Sequence, residues 1–125
     1  MGMDESINVF GEALEVCCGD PITGFYRDGK CNTNKDDVGS HTVCIKVTKE
    51  FLEYSKLRGN DLSTPVPEFN FKGLKPGNCW CLCAMRWLEA EKANMAPRIH
   101  LTRTHIKALD IVSMELLKKY AVDLN

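Results

Sequence analysis

The 125 residues are 44% hydrophobic and 26% charged, an ordinary folded composition that excludes a disordered or low-complexity chain. The 16 Lys and Arg residues against 17 Asp and Glu leave a net charge of −1, which excludes the basic bias of a dedicated nucleic-acid binder. No apolar run approaches the roughly 18 residues of a membrane span, and the acidic start MGMDESINVF lacks a signal-peptide core.

These features point to the cytoplasm, with neither nucleic acid nor membrane as partner. In that compartment seven cysteines are expected as thiols or metal ligands, not as a disulfide framework. The odd number points the same way.

Residues 1–6 read as a flexible tail and 7–125 as a single domain. Ile7 to Phe10 reads as a short strand. A turn-rich segment follows, in which Asp28-Gly29 is a two-residue hairpin signal. It would pair strands at 24–27 and 30–33, with Tyr26 opposite Cys31 and Arg27 opposite Lys30.

HTVCIKV, from His41 to Val47, is β-branched and apolar, as a central strand requires. Thr48 caps a helix over 49–58, with Glu50 in its first turn and Lys56 and Arg58 in its last. Gly59 supplies the left-handed stop. Residues 59–78 form a long loop with three prolines, and a loop of that length is functional or tightly packed.

NCWCLCAMRW, from Asn78 to Trp87, sets three cysteines at alternate positions between two tryptophans. Asn78 is a good N-cap, and 79–93 contains neither Gly nor Pro, which favours a helix there. Trp80, Cys83, Ala84, Trp87 and Leu88 would share its buried face. Cys83 is then a small core residue, while Cys79 and Cys81 sit at a helix N-terminus that favours a thiolate. The competing reading is a strand at 79–83 running into a helix, with all three sulfurs on one face. Arg98 to Thr102 reads as a strand and 104–110 as a short helix. Ser113 caps a last helix to about 121, with Val112 and Leu117 as a hydrophobic staple. The mixture without a regular βαβ beat implies α+β: two layers, a small sheet, about three helices and long ordered loops.

DPITGFYRDGKCNT, DVGSHTVC, FLEYSKLRGNDLSTP, FKGLKPGNCWCLCAMRWLEA and MELLKKYA together resemble the small, mainly bacterial family catalogued as domain of unknown function 2237. The resemblance spans about 8–121. It implies one α+β domain and no particular activity. The family pattern matches Cys31, His41, Cys44, Cys81 and Cys83. Cys79 stands where that pattern has a polar residue.

No phosphate loop, nucleophile elbow or zinc-protease motif is present. The first functional reading is a binding or interaction module for a small molecule or protein. Its polar, Cys/His-lined cleft would use Asp61, Ser63, Thr64, Arg27 and Cys44 as binding residues, and no cofactor. A second reading is a thiol enzyme or redox protein, with Cys81 as catalytic nucleophile and His41 as base. A third is a metal protein, zinc being the expected ion, with ligands from Cys31, His41, Cys44 and Cys83. The full set of scattered candidates for such a site adds Cys17, Cys18 and Cys81. His41, Asp61, Cys44 and Cys81 are expected to meet at one cleft. Each has a plainer role: His41 bonding loop backbone, Asp61, Ser63 and Thr64 bracing a turn, Arg27 lying in a solvated turn.

Overall fold

The computed structural model describes residues 6–19, 22–69 and 71–123. Among them, β1 (His41–Lys46), β2 (Cys79–Cys83) and β3 (Arg98–Ile99) form one antiparallel sheet in the order β2-β1-β3. The α-helices are α1 (Lys49–Leu57), α2 (Ala84–Lys92) and α3 (Met114–Lys119), with 3-10 turns at Pro67–Phe69, Leu101–Arg103 and Ile106–Asp110. This is the α+β architecture expected from the mixed pattern. The tail expected over 1–6 lies outside the described residues, apart from Ser6.

β1 is the centre because its side chains suit burial on both faces. Thr42, Val43, Cys44 and Ile45 are fully buried. The Thr48 hydroxyl accepts the Phe51 amide and starts α1, and Gly59 follows its end at φ 89°. Phe51, Leu52 and Ser55 form the buried face of α1.

The helix expected over 79–93 is instead a strand to Cys83 and a helix from Ala84. Asn78 does not cap it. Its side chain accepts the Lys75 amide and closes the turn before β2, while its carbonyl accepts the Val47 amide. The exposed ladder of β1 thus captures the cysteine segment, and tertiary pairing outweighs local propensity. Trp80 and Trp87 still share one core, at 6% and 0% exposure.

The two-residue period of the strands separates two chemistries. Val43, Ile45, Trp80 and Leu82 enter the apolar core beneath the helices. Cys44 and Cys81, register partners in the ladder, instead join Cys17 and Cys31.

The hairpin expected at 28–29 is a knot of turns instead. Arg27 takes φ 55°, and the Gly29 amide returns to the Thr23 carbonyl. A Cβ on Gly24 would lie 2.2 Å from the Lys30 carbonyl oxygen. The close approach that Gly24 permits leaves no room for a paired ladder. Ile7 and Asn8 make only isolated bridges, to Ala13 and His105. The strand expected over 98–102 stops at Ile99, and a 3-10 turn begins at Leu101.

The long 59–78 loop is tightly packed. At Gly73 (φ 81°) a Cβ would lie 2.3 Å from the Ser63 carbonyl oxygen, and buried Leu74 donates to Leu62. Ser113 caps α3 by accepting the Leu116 amide, with Val112 and Leu117 buried beside it.

Candidate functional site

Two cysteine sites lie on the sheet. The first is a buried sulfur cluster. Cys17 and Cys44 form one disulfide and Cys31 and Cys81 another, with Cys18, Cys79 and Cys83 left free. The sulfurs of Cys17, Cys31 and Cys81 all lie within 4.8 Å of one another, and none of the four residues exceeds 3% exposure. The framework is therefore present where thiols were expected. Its four members come from four separated segments, so only packing brings them together. Cys81, expected as the reactive nucleophile, carries no free thiol and is 1% exposed. Cys44, expected in a ligand cleft, is fully buried.

The second site is at the C-terminal end of β2. Cys83 is the last strand residue and the N-cap of α2, with no side-chain cap bond. Its sulfur therefore stands at the positive end of the helix dipole. His41 is its ladder partner, and the register slips between His41 and Val43. Such a bulge re-aims a side chain. The Ser40 carbonyl accepts the Ala84 amide, tying the loop before β1 to the start of α2. Ser40 itself holds φ 50°, a costly conformation for a non-glycine residue. Gly39 floors the notch: a Cβ there would lie 3.0 Å from His41 Cε1 and 3.5 Å from Cys83 Sγ.

Asp37 fixes the imidazole. Its Oδ1 lies 2.6 Å from His41 Nδ1, and its Oδ2 accepts the His41 amide and the Thr33 hydroxyl. The Asp37 side chain is 1% exposed and that of His41 is 41% exposed. Burial raises the Asp37 carboxyl, but the bonds from His41 and Thr33 outweigh it and hold it below its ordinary value of 3.8. An ionised Asp37 only accepts, so Nδ1 carries the proton and Nε2 is the basic nitrogen. Phe25 stacks over the ring at 6.4 Å between centroids. A cleft of about 760 Å³ shares Asp37 and Ser40 with this site and is lined further by Lys35, His105, Lys107 and Asp110, but by neither His41 nor Cys83.

A depressed Asp37 pKa adds stability above the unfolded value, and that stability is lost as pH falls through the folded one. Asp37→Asn is expected to lower stability at neutral pH and flatten the acid limb below about pH 4. Urea midpoints of both proteins at pH 7 and pH 3 measure this. Equal acid losses in the two would count against it.

The family model described as "Uncharacterized protein conserved in bacteria (DUF2237)" matches residues 7–121. The chain belongs to this family. The matched span holds both cysteine sites, so each belongs to the DUF2237 domain itself. No curated protein matches the chain. No helix among the described residues is long and apolar enough to cross a membrane.

The DUF2237 fold distributes the remaining expected site residues differently. Asp61 closes on its own loop, accepting the amides and hydroxyls of Ser63 and Thr64, at 2.6 Å for the Thr64 hydroxyl. Those bonds hold its carboxyl at about 2. Arg27 donates to the Gly24 carbonyl and lies over the Trp80 ring. The metal set expected from sequence divides: Cys31 and Cys44 join the buried cluster, while His41 and Cys83 share the notch. Asp37 was not singled out in the sequence. The Asp-x-x-x-His spacing of 37 and 41 is its signal, a weak one among many acidic turn residues.

The Cys79–His100 thiol–imidazole contact is less suited to chemistry. Cys79 Sγ lies 3.7 Å from His100 Nε2 and 3.9 Å from Arg103 Nη1. Burial and neighbouring Cys18 raise the Cys79 thiol, with Arg103 and Lys46 offsetting only part of this. Burial and Arg103 lower the His100 imidazole.

Proposed function

We propose that this DUF2237 protein is a small cytoplasmic ligand-binding module with a thiol centre. Its cleft holds a small polar molecule, Cys83 is the nucleophile, His41 the base and Asp37 the positioning residue. One observation carries this reading: a buried carboxylate holds His41 beside a free cysteine at a strand-to-helix junction. Ladder pairing and shared packing against Gly39 place the two groups near each other, and the nucleophile–base hydrogen bond of thiol catalysis closes in the reacting complex. In the reacting complex the Cys83 proton passes to His41 Nε2, and the sulfur attacks an electrophilic carbon. The leaving group then recovers the proton from the imidazolium. The mixed lysine and aspartate lining of the cleft suits a ligand bearing both polar and charged groups.

Timed alkylation with iodoacetamide, read by peptide mass spectrometry, tests this. Cys83 is expected to react faster than Cys18 and Cys79. His41→Ala is expected to slow it by about 100-fold or more, the usual contribution of a positioned base. Asp37→Asn should slow it less and change its pH profile. A Cys83 rate no greater than that of Cys79, or one indifferent to His41→Ala, would remove the thiol centre and leave a plain binding module.

A further inference from the structure

We infer that the buried cluster of Cys17, Cys31, Cys44 and Cys81 is a zinc site when reduced, and that its two disulfides are the oxidised, metal-free state. The inference concerns the cluster at the middle of β2, two residues before Cys83, and does not depend on the thiol centre.

Geometry comes first. A tetrathiolate zinc has Zn–S distances of about 2.3 Å, which puts its sulfurs about 3.8 Å apart. Three of the four sulfurs already lie within 4.8 Å of one another, and Cys44 is bonded to one of them. Opening each S–S bond and rotating the side chains to separate the paired sulfurs to about 3.8 Å is the movement a tetrahedron requires. The scaffold spacing is also suitable, with Cα–Cα distances of 5.8 Å for Cys17 and Cys44 and 5.2 Å for Cys31 and Cys81.

The surroundings agree. The main chains of Cys17, Cys44 and Cys81 are held independently of the sulfurs. The Cys44 and Cys81 amides donate to Thr104 and Thr23 hydroxyls, at 3.1 and 2.8 Å. The Cys17 amide donates to the Gly29 carbonyl at 2.7 Å. Opening the disulfides therefore leaves these three Cβ positions in place. A zinc with four thiolates carries a net charge of −2 and needs cations nearby. Arg103 donates to the Cys17 carbonyl, and Lys46 is the ladder partner of Cys79, beside the cluster. Four buried thiols without metal would pack sulfur on sulfur and lose both cross-links. Zinc restores a four-way link, as structural zinc does in small domains.

The switch balances with peroxide as oxidant. Four thiolates release four electrons, forming two S–S bonds and freeing Zn²⁺. Two hydrogen peroxide molecules take those electrons with four protons and become four waters.

The test uses untagged full-length protein reduced with a phosphine, offered Zn²⁺ and freed of excess by gel filtration. One zinc per chain is expected by elemental analysis. Cobalt(II) in its place should give the intense sulfur-to-cobalt charge-transfer bands of a tetrathiolate. With zinc bound, iodoacetamide should label Cys18, Cys79 and Cys83 but spare the other four until a chelator is added. Peroxide should release all of the zinc. Cys18→Ser and Cys83→Ser should keep it, and Cys17→Ser and Cys81→Ser should lose it. Folded, fully reduced protein with no zinc above a zinc-free control would overturn the inference. So would zinc that depends on Cys83, or cobalt spectra without thiolate bands. The labelling pattern needs no variant, so a misfolded substitution cannot obscure the result.

Discussion

Trp87→Ala is expected to lower the free energy of unfolding by about 3–5 kcal/mol, the range for deleting a buried large aromatic. Trp87 is fully buried in the apolar core. Its ring meets Tyr120 edge-on at 5.1 Å, and its indole N–H donates to the Pro97 carbonyl at 3.1 Å. Truncation leaves a cavity between α2 and its neighbours and takes the donor away from that carbonyl. Trp87→Phe refills much of the cavity but not the bond, and should cost about 1–3 kcal/mol. Urea titrations with an unchanged m-value give both numbers. A loss below about 1 kcal/mol for Trp87→Ala would show that the core closes readily around the gap.

In oxidised protein, Cys31→Ala with Cys81→Ala is expected to cost about 4 kcal/mol, and Cys17→Ala with Cys44→Ala about 3.5 kcal/mol. The order follows from the loops released, because the sequence separations are 50 and 27 residues. A longer closed loop removes more entropy from the unfolded chain. Either loss is a large part of the 5–15 kcal/mol that holds a typical domain. Denaturant melts without reductant measure both. Losses under about 1 kcal/mol would mean that the cross-links do not constrain the unfolded chain, and a reversed order would contradict the loop argument.

The same sequence stretch shows why a one-dimensional reading succeeds and where it stops. Thr48, Gly59 and Ser113 act through atoms two or three residues away, so their roles at α1 and α3 are legible directly. The alternation of β1 is local too. Residues 79–83 satisfy both a helical and a strand pattern. The choice belongs to β1, whose open ladder lies more than 30 residues earlier in the chain. The burial of both tryptophans survives that change because each is apolar enough to enter the core from either geometry.

The candidate sites divide in the same manner. His41 and Cys83 are visible in sequence as chemistry-bearing residues, but as separate ones. Their meeting depends on the β1–β2 register, the bulge at Thr42 and the glycine at 39. Asp37 gains meaning only once the turn before β1 aims its carboxylate at the imidazole. By itself the sequence determined the α+β class, the helix caps, the β1 strand and an abundance of cysteine without a C-x-x-C spacing. The tertiary structure decided which sulfurs meet, which thiols stay free and which imidazole stands beside one. Local signals act across a turn of backbone, whereas these pairings join segments 27 to 50 residues apart, and only the packed sheet selects among them.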